Sequence, residues 1–281
     1  MFIRDYLKRF RNLKKQMVYL ITGNKISQKY IERKIRKFQK LAGIGSASNV
    51  QNSGEESILE KLRSLKKEHY CLFDVGAWKG DFTEMALRYF NDDNVEIHCF
   101  EPEKAAFKLL SNNIKSDKVI LNNKGLGKEP GIFPLYTNSP GAGQASLTKR
   151  NLDHLGSNFC YSEDVSIETL DNYCLAHNIK DIDLLKLDVE GHELDVLKGS
   201  IETLKRNSIK MVSFEFGGCN IDTRTFLRDL YYLFSELRFR TYRITPSGYL
   251  YPLDNYREEL EIFRTTNFLS IRKDLAKSFI K

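Results

Sequence analysis

Three apolar runs of the sequence each end in acidic residues close to glycine or proline, a combination suited to binding a ligand and moving a proton. The first run, Cys71–Val75, contains Asp74 and leads into Gly76 and Gly80. These glycines allow the backbone to bend sharply and to approach a ligand without an intervening Cβ atom. A helix predicted from Phe82 onward would direct free N–H groups at a carboxylate or a phosphate. The spacing therefore predicts a ligand-binding turn between a strand and a helix.

The ligand of this turn is not expected to be a dinucleotide. The fingerprint Gly-x-Gly-x-x-Gly is absent, because Trp78 stands where its second glycine would be. A bulky side chain there disfavours a pyrophosphate against the backbone, so an amino-acid nucleoside fits better. The second run ends at Glu101, and in doubly wound folds an acid at this place accepts hydrogen bonds from ribose hydroxyls. A purely structural turn and a surface position for Glu101 are the alternatives.

The third run, Asp183–Leu187, is followed by a group of ionisable residues that includes Asp188, Glu190 and His192. Open α/β sheets bind ligands beyond the carboxyl ends of their strands, where these side chains would lie. Glu190 or His192 would serve as a general base for a substrate hydroxyl. The alternative is helix capping by Asp188 and pairing of Glu190 with the helix dipole.

A fourth acidic residue, Glu215, follows the predicted strand Lys210–Phe214 and precedes two glycines. It belongs to the same predicted ligand face, where it would contact a substrate or only form part of a turn. The donors of the third run, Asp188, Glu190 and His192, would also suit a hard divalent cation. The sequence permits such an ion, but we predict no metal site.

The elements that must position these residues alternate between short β-rich runs and helical patterns from Cys71 onward. This order predicts an α/β fold with a doubly wound, mainly parallel sheet. The segment Gly125–Asp164 is rich in Gly, Pro and Ser and is too long for a plain connection, so we interpret it as an elaborated binding loop with short strands. Its section from Ser139 to Gln144 is a candidate lid over a bound ligand.

The charge divides the chain into a basic helical arm (1–42), a small-polar linker (43–56) and a body (57–281). The arm holds thirteen Lys and Arg against two acids, a charge of +11, which leaves −4 for the remainder. Its apolar residues recur at helical spacing, with a break at Gly23-Asn24. These apolar faces would pack on the body or on a partner chain, or would lie on an anionic membrane surface. Its aromatic residues sit at packing positions, so we do not expect a nucleic acid partner.

The overall composition is that of a soluble globular protein. The 281 residues are 41% hydrophobic and 29% charged, and no apolar run approaches the roughly 18–20 residues of a membrane span. The segment Met1–Ile21 lacks the apolar core of a secretory signal. Five cysteines without a Cys-x-x-Cys pair argue against a disulfide framework or a zinc site. We expect a cytoplasmic location, with attachment of the arm to the inner face of the membrane left open.

Four motifs together resemble the FkbM family of S-adenosylmethionine-dependent methyltransferases. They are Asp74-Val-Gly-Ala-x-x-Gly, Phe100-Glu-Pro, Thr169-Leu-Asp and Leu185-Lys-Leu-Asp-Val-Glu-Gly-His-Glu. The match covers about Cys71–Glu215, roughly half of the chain, and the run from Leu185 is its most distinctive part. The resemblance implies a seven-stranded Rossmann-like methyltransferase sheet with an antiparallel C-terminal strand. It also implies O-methylation, often of sugar hydroxyls in polysaccharide or secondary-metabolite assembly.

The resemblance assigns S-adenosyl-L-methionine as cofactor and gives individual residues a role. The methionine end of the cofactor would be lined by Asp74, Gly76, Ala77 and Gly80, with Asp188 close by, and its ribose would be bound by Glu101. For catalysis, Glu190 and His192 are the first candidates for the general base, with Asp188 and Glu215 behind them.

We therefore expect an O-methyltransferase that acts on a hydroxyl of a sugar, a glycan or a secondary metabolite. A dehydrogenase is one alternative, against which the missing dinucleotide fingerprint counts. A second alternative is a non-catalytic binding protein that retains the fold and docks on a membrane or an assembly partner through its arm. The sequence leaves the acceptor, the methylated position and the oligomeric state open.

Overall fold

The computed structural model describes residues 2–46 and 53–279, so residues 47–52 of the predicted linker lie outside the described residues. The chain forms two compact units, Met1–Ala42 and Gly43–Lys281. Among the helices of the described ranges, none has the length and apolar character needed to cross a membrane.

The first unit consists of two helices, α1 (Phe2–Thr22) and α2 (Lys25–Leu41). Between them, a Cβ atom at Gly23 would lie 2.4 Å from the carbonyl oxygen of Tyr19, so this close approach requires glycine. Asn24 then caps α2, because its side chain accepts a hydrogen bond of 2.9 Å from the N–H group of Ser27. The break between the helices therefore falls where the apolar pattern is interrupted.

The second unit is built on two sheets. Its strands are β1 (Tyr70–Val75), β2 (Val95–Phe100), β3 (Val119–Asn122), β4 (Gly125–Leu126), β5 (Gly131–Thr137), β6 (Tyr161–Glu168), β7 (Leu184–Leu187), β8 (Met211–Phe216), β9 (Phe239–Ile244), β10 (Leu250–Pro252) and β11 (Thr266–Arg272). The larger sheet has the order β10-β9-β11-β8-β7-β1-β2-β3, and the smaller has the order β4-β6-β5. In the larger sheet β11 is antiparallel to both β8 and β9, whereas β8, β7, β1, β2 and β3 are mutually parallel.

Helices cover both faces of the larger sheet. They are α3 (Glu56–Ser64), α4 (Asp81–Tyr89), α5 (Lys104–Asn113), α6 (Leu170–Ala176), α7 (Glu193–Lys198), α8 (Ile201–Lys205), α9 (Cys219–Thr223), α10 (Leu227–Glu236) and α11 (Lys273–Phe279). Side chains of α3, α4, α5 and α11 belong to one hydrophobic core, and those of α6, α7, α8 and α10 belong to another. Strand β1 is buried along its whole length, and its side chains alternate between the two cores, as expected for a strand covered on both faces.

The order of the strands creates a crevice beside β1. The chain proceeds from β1 to β2 and β3 on one side, then returns to place β7 and β8 on the other side. Ligands of open α/β sheets bind where the strand order reverses in this way. The predicted doubly wound, mainly parallel fold with an antiparallel C-terminal strand is confirmed, and its switch point lies between β1 and β7.

Two details differ from the sequence-based expectations. The larger sheet has eight strands instead of seven, because the chain turns back at Thr245–Gly248 and adds the short edge strand β10 to β9. Glu215 lies within β8 instead of following it, because pairing with β11 extends the strand to Phe216. The long segment 125–164 contains short strands, as predicted: β4, β5 and the start of β6 lie in the smaller sheet, which has a small core of its own.

The amino end of β7 is anchored by a buried carboxylate. Asp183 accepts hydrogen bonds from the backbone N–H of Cys71 at 3.0 Å and from Nζ of Lys210 at 2.9 Å, and it also pairs with Lys67. Burial by itself raises the pKa of Asp183, but the hydrogen bonds from Lys210 and Lys67 outweigh it and hold the pKa below its ordinary value. The ionised carboxylate therefore stabilises the fold above the unfolded pKa, and this contribution is lost as the pH falls through the folded pKa.

We expect Asp183→Asn to lower the free energy of unfolding by about 1–3 kcal/mol at neutral pH, because two lysines lose their buried partner. The difference from the natural protein should shrink as the pH falls below about 4. Urea unfolding followed by circular dichroism at neutral pH and near pH 3 measures both effects. Asp181→Asn, which changes an exposed acid two residues away, is the control. An equal loss in the two variants would contradict the assignment.

Candidate active site

The carboxyl ends of β1, β7 and β8 open onto a cavity of about 890 Å³. Residues that the sequence singles out line it from three parts of the chain: Asp74, Gly76, Ala77, Asp188, Glu190 and Glu215. A smaller cavity of about 110 Å³ shares Gly76, Asp188 and Glu190 with the first, and adds Glu101 and His192. Gly80 lines neither cavity; it adopts a left-handed conformation directly before α4. The structure thus brings together every predicted site residue except Gly80.

The turn after β1 passes unusually close to the end of β7. Gly76 has a φ of +82°, and a Cβ atom at this position would lie 1.9 Å from the carbonyl oxygen of Asp188. No other residue fits such an approach. The N–H groups of Gly76 and Ala77 both donate to the carbonyl oxygen of Phe100, at 2.9 and 3.0 Å. Because these donors are already used, the turn does not offer them to a phosphate, in agreement with the missing dinucleotide fingerprint.

Asp74 is buried and only partly satisfied. Its Oδ2 atom accepts a hydrogen bond of 2.7 Å from the hydroxyl of Thr83, whereas Oδ1 has no hydrogen-bond partner. The Nζ atom of Lys186 lies 3.5 Å from Oδ1 of Asp74 and 3.2 Å from Oδ2 of Asp188. Burial lowers the pKa of Lys186, but the charges of Asp188 and Asp74 outweigh it and raise the pKa above its ordinary value. Lys186 therefore stays charged between the two acids.

Glu101 is buried at the end of β2 and holds the backbone of both neighbouring turns. Its two carboxylate oxygens accept hydrogen bonds of 2.9 Å from the N–H groups of Trp78 and Glu103. Burial raises the pKa of Glu101 to about 7, while these two hydrogen bonds oppose the rise. Each carboxylate oxygen has a second lone pair with which to accept a hydroxyl group of a ligand.

The candidate lid is docked against the same turn. The indole N–H of Trp78 donates to the carbonyl oxygen of Gly141 at 2.9 Å, and the N–H of Gly141 donates to Glu103 at 2.5 Å. A Cβ atom at Gly143 would lie 2.5 Å from the Trp78 ring, so the segment packs closely on the indole. Trp78 and Gly143 border both cavities. Movement of this segment would therefore change access to both of them.

Glu190 follows the end of β7 in a left-handed conformation, with a φ of +51°. Its Oε2 atom accepts a hydrogen bond of 2.6 Å from Arg150, and its side chain is 19% exposed. Burial raises the pKa of Glu190 to about 8, the charge of Asp188 adds to the rise, and Arg150 opposes it. A carboxyl group that titrates near neutral pH at the edge of a cavity is suited to accept a proton from a substrate.

His192 is held by protein groups at both of its ring nitrogens. Nδ1 lies 2.9 Å from a carboxylate oxygen of Asp195, and Nε2 lies 3.0 Å from the hydroxyl of Thr148. The ring borders the smaller cavity and not the larger one. These contacts occupy the atoms that a general base would use, so the geometry favours Glu190 over His192 for that role.

Glu215 lines the larger cavity from β8, and Asn267 is its partner residue across the β8–β11 pair. Burial is the main cause that raises the pKa of Glu215 well above its ordinary value, and the charges of Asp188 and Glu190 add to the rise. Glu215 therefore holds a proton over a wider pH range than an exposed glutamate does. Together with the amide of Asn267 it can bind polar groups of a ligand.

Sequence reasoning missed further charged residues of this cavity, among them Glu55, Arg150 and Lys186. Glu55 is almost fully buried, accepts a hydrogen bond of 2.9 Å from the hydroxyl of Ser53, and lies in the predicted linker, where no motif marks it. Arg150 lies in the long segment 125–164, and its guanidinium also approaches Asp222 at 3.5 Å. Lys186 alone had a visible signal, because a lysine within a buried apolar strand requires a buried counter-charge.

A metal-type cluster exists elsewhere in the body. It consists of three residues within the described ranges, Cys71, Glu96 and His98, whose potential ligand atoms lie within 4.8 Å of one another. The ring nitrogens of His98 already contact Glu96 at 2.7 Å and the hydroxyl of Tyr173 at 2.9 Å. These contacts, one within β2 and one to α6, occupy both ring nitrogens of His98.

Two curated relatives are similar to part of this chain. The 2-O-methyltransferase NoeI of Sinorhizobium fredii is 28% identical over 153 residues, which are 50% of this chain and 62% of the relative. The hexuronic acid methyltransferase AglP of Haloferax volcanii is 27% identical over 169 residues, which are 58% of this chain and 64% of the relative. The chain therefore spans less than two thirds of the length of either relative.

A crystal structure of a methyltransferase FkbM from Methylobacillus flagellatus aligns with this chain at 15% identity and a TM-score of 0.46. The alignment covers 84% of this chain and 59% of the chain in that crystal structure. The family model described as the methyltransferase FkbM domain matches residues 74–244. This range begins at Asp74 and includes the turn at Gly76, Glu101 and the group from Asp188 to His192. Because it makes up more than half of the sequence, the chain belongs to the FkbM methyltransferase family, as its motifs predict.

Proposed function

We propose that this chain is an S-adenosylmethionine-dependent O-methyltransferase that acts on a hydroxyl group of a sugar or glycan. The observation that carries the proposal is the junction of the two cavities at Gly76, Asp188 and Glu190, where a nucleoside-type site meets a candidate general base. The names of the two relatives, a 2-O-methyltransferase and a hexuronic acid methyltransferase, support a sugar as the acceptor. A hydroxyl of a secondary metabolite is the alternative acceptor.

The residues at the junction fit the cofactor chemically. Glu101 borders the smaller cavity with oxygens that can accept ribose hydroxyls, and apolar side chains of Leu126, Leu135 and Ile167 line the same space. The buried Oδ1 atom of Asp74 accepts no hydrogen bond, although Lys186 lies 3.5 Å from it. It lies beside the larger cavity and suits the ammonium group of a methionine moiety. The volume of the smaller cavity is below the about 300–1,000 Å³ that ligand-binding pockets usually have. A bound cofactor must therefore extend past Gly76 into the larger cavity or displace the lid.

The charge of the larger cavity is complementary to a cation. The described residues that line it include more acidic than basic side chains, with Asp74, Asp188 and Glu215 among the acids. When bound, the cofactor supplies a methyl group that its positively charged sulfur activates. An acidic, partly enclosed site favours binding of such a charge, because electrostatic attraction is stronger away from bulk water.

Glu190 supplies the base that a sugar hydroxyl needs, since such a hydroxyl is a weak acid. The Glu190 carboxylate takes the proton from the sugar hydroxyl. Arg150 holds this carboxylate at the edge of the cavity through a hydrogen bond of 2.6 Å. The segment around Gly141–Gln144 excludes water through its contacts with Trp78 and Glu103. The main contribution of the protein is to hold the acceptor oxygen in line with the methyl group.

The ion pairs of Arg150 and Lys186 in the larger cavity favour a neutral sugar over a hexuronic acid. Arg150 contacts Glu190 and Asp222, and Lys186 contacts Asp74 and Asp188. A third cation, Arg264, also lines this cavity. To pair with Arg150 or Lys186, a carboxylate on the acceptor would have to displace one of these acids. Hydroxyl groups would instead find acceptors and donors in Glu55, Glu215 and Asn267.

Titration calorimetry with S-adenosylmethionine and with NAD tests the cofactor, and formation of S-adenosylhomocysteine tests the reaction. We expect binding of the first compound only, and turnover with a panel of neutral hexosides to exceed turnover with the matching hexuronides. Binding of NAD alone would defeat the methyltransferase proposal. Cofactor binding with no turnover on neutral sugars, acidic sugars or cell-extract metabolites would instead favour a non-catalytic binding protein.

We expect Glu101→Gln to weaken cofactor binding by about 1–3 kcal/mol, because one charge-assisted acceptor for the ribose is lost. Titration calorimetry measures the change, and a melting curve verifies that the variant is folded. Glu84→Gln, which alters an exposed acid on α4, should leave the affinity unchanged. Equal affinity of the Glu101→Gln variant and the natural protein would refute the ribose role.

We expect Glu190→Gln to retain cofactor affinity within about twofold and to slow methyl transfer by about 100-fold or more, because the base is removed. In the natural protein kcat/KM should rise with pH through about 8 as Glu190 loses its proton. The variant should lack this rise. Rates of S-adenosylhomocysteine formation across pH measure both effects, with Glu202→Gln as a control on an exposed glutamate of α8. Full activity of the Glu190→Gln variant would exclude it as the base.

A further inference from the structure

The helices of the arm expose large apolar side chains. On α1, five of them are between 57% and 77% exposed: Phe10, Leu13, Met17, Leu20 and Ile21. On α2, Tyr30, Ile35, Phe38 and Leu41 are between 49% and 66% exposed, and this helix contains no buried residue. Contiguous exposed apolar surface of this kind marks an interaction site in a folded protein.

Five exposed apolar residues of α1, namely Phe10, Leu13, Met17, Leu20 and Ile21, lie on one face. At about 100° per residue, all five fall within an arc of about 100°. Arg9 and Lys14 lie just outside the two edges of this arc, and Arg11 and Lys15 lie on the opposite side. The exposed apolar residues Val18 and Tyr19 lie outside the arc, on either side of it.

The second helix repeats this arrangement. Five of its apolar residues, Tyr30, Ile31, Ile35, Phe38 and Leu41, fall within an arc of about 140°, which also contains Lys34. The exposed Ile26 lies outside this arc. The centre of a basic ridge lies about opposite to the centre of that arc. The ridge consists of five exposed residues: Lys25, Lys29, Arg33, Arg36 and Lys40. Each helix of the arm thus has an apolar face bordered or opposed by cations.

We propose that the arm binds the surface of an anionic lipid bilayer through these two apolar faces, independently of the proposed catalytic function. Helices that lie in a membrane interface combine an apolar face with a polar face rich in Lys and Arg. The charge of +11 on residues 1–42 complements anionic headgroups. A second copy of the arm would bring an equal positive charge to the interface, so the same charge disfavours self-association through these faces.

Co-sedimentation of the full chain with vesicles tests the proposal. We expect binding to phosphatidylcholine vesicles that contain about 30% phosphatidylglycerol, and binding about tenfold weaker or less to phosphatidylcholine alone. Salt near 0.5 M should reduce binding to the anionic vesicles, since the headgroup attraction is screened at about that ionic strength. No excess binding to the anionic vesicles would overturn the proposal.

Two double variants of α1 test whether vesicle binding depends on the apolar face or on any exposed apolar side chain of the helix. Leu13→Gln with Met17→Gln removes two residues of the face, whereas Val18→Gln with Tyr19→Gln removes two exposed residues outside it. Glutamine keeps a high helix propensity, so circular dichroism should stay unchanged. We expect the first pair to lower the partition coefficient about tenfold and the second to lower it less than about twofold. Equal losses in both pairs would overturn the assigned face.

One further measurement distinguishes the membrane from another copy of the chain. Light scattering without lipid should report the same mass for the natural protein and for Leu13→Gln with Met17→Gln. A dimer that only the natural protein forms would show that the faces bind a second copy instead, and would also overturn the proposal. Neither result bears on cofactor binding, so the proposed methyltransferase function is tested separately.

Discussion

The pairing of Lys186 with Asp74 and Asp188 is the constraint on which the site depends. Asp74 and Lys186 are partner residues across β1 and β7, the two strands that border the switch point. A buried charge is costly without a partner, and removing one partner leaves the other charge uncompensated. The ammonium group therefore holds the ends of both strands together where the cavity opens. The turn at Gly76 can then pass against the carbonyl oxygen of Asp188 without separating the strands.

The same charges divide the acids of the cavity into two groups. Asp74 and Asp188 contact Lys186 directly. In contrast, burial raises the pKa of Glu101 to about 7 and of Glu190 to about 8, and it raises the pKa of Glu215 well above its ordinary value. A carboxyl group that holds a proton can donate a hydrogen bond as well as accept one. Such groups suit a ligand with hydroxyls, and only Glu190 combines this property with a direct contact to a cation.

The sequence predicts the part of the site that local order encodes. An apolar run followed by an acid and glycines identifies Asp74 and Gly76, and a parallel sheet brings their strand end next to Glu190. Side chains whose position depends on tertiary packing have no such signature. Arg150 enters the cavity from a long segment without a motif, and the contact of His192 with Thr148 follows only from the fold. The extent of β8, which places Glu215 inside the strand, likewise depends on pairing with β11.

The limits of the family match also separate the two halves of the cavity. Residues 74–244 contain the turn at Gly76 and the base candidate Glu190, whereas Glu55 precedes this range and Asn267 follows it. Glu55 and Asn267 nevertheless line the larger cavity, so part of its wall is built by segments that the family model does not describe. Proteins that share the matched range need not share this wall. The hexuronic acid in the name of one relative is therefore a property of that relative.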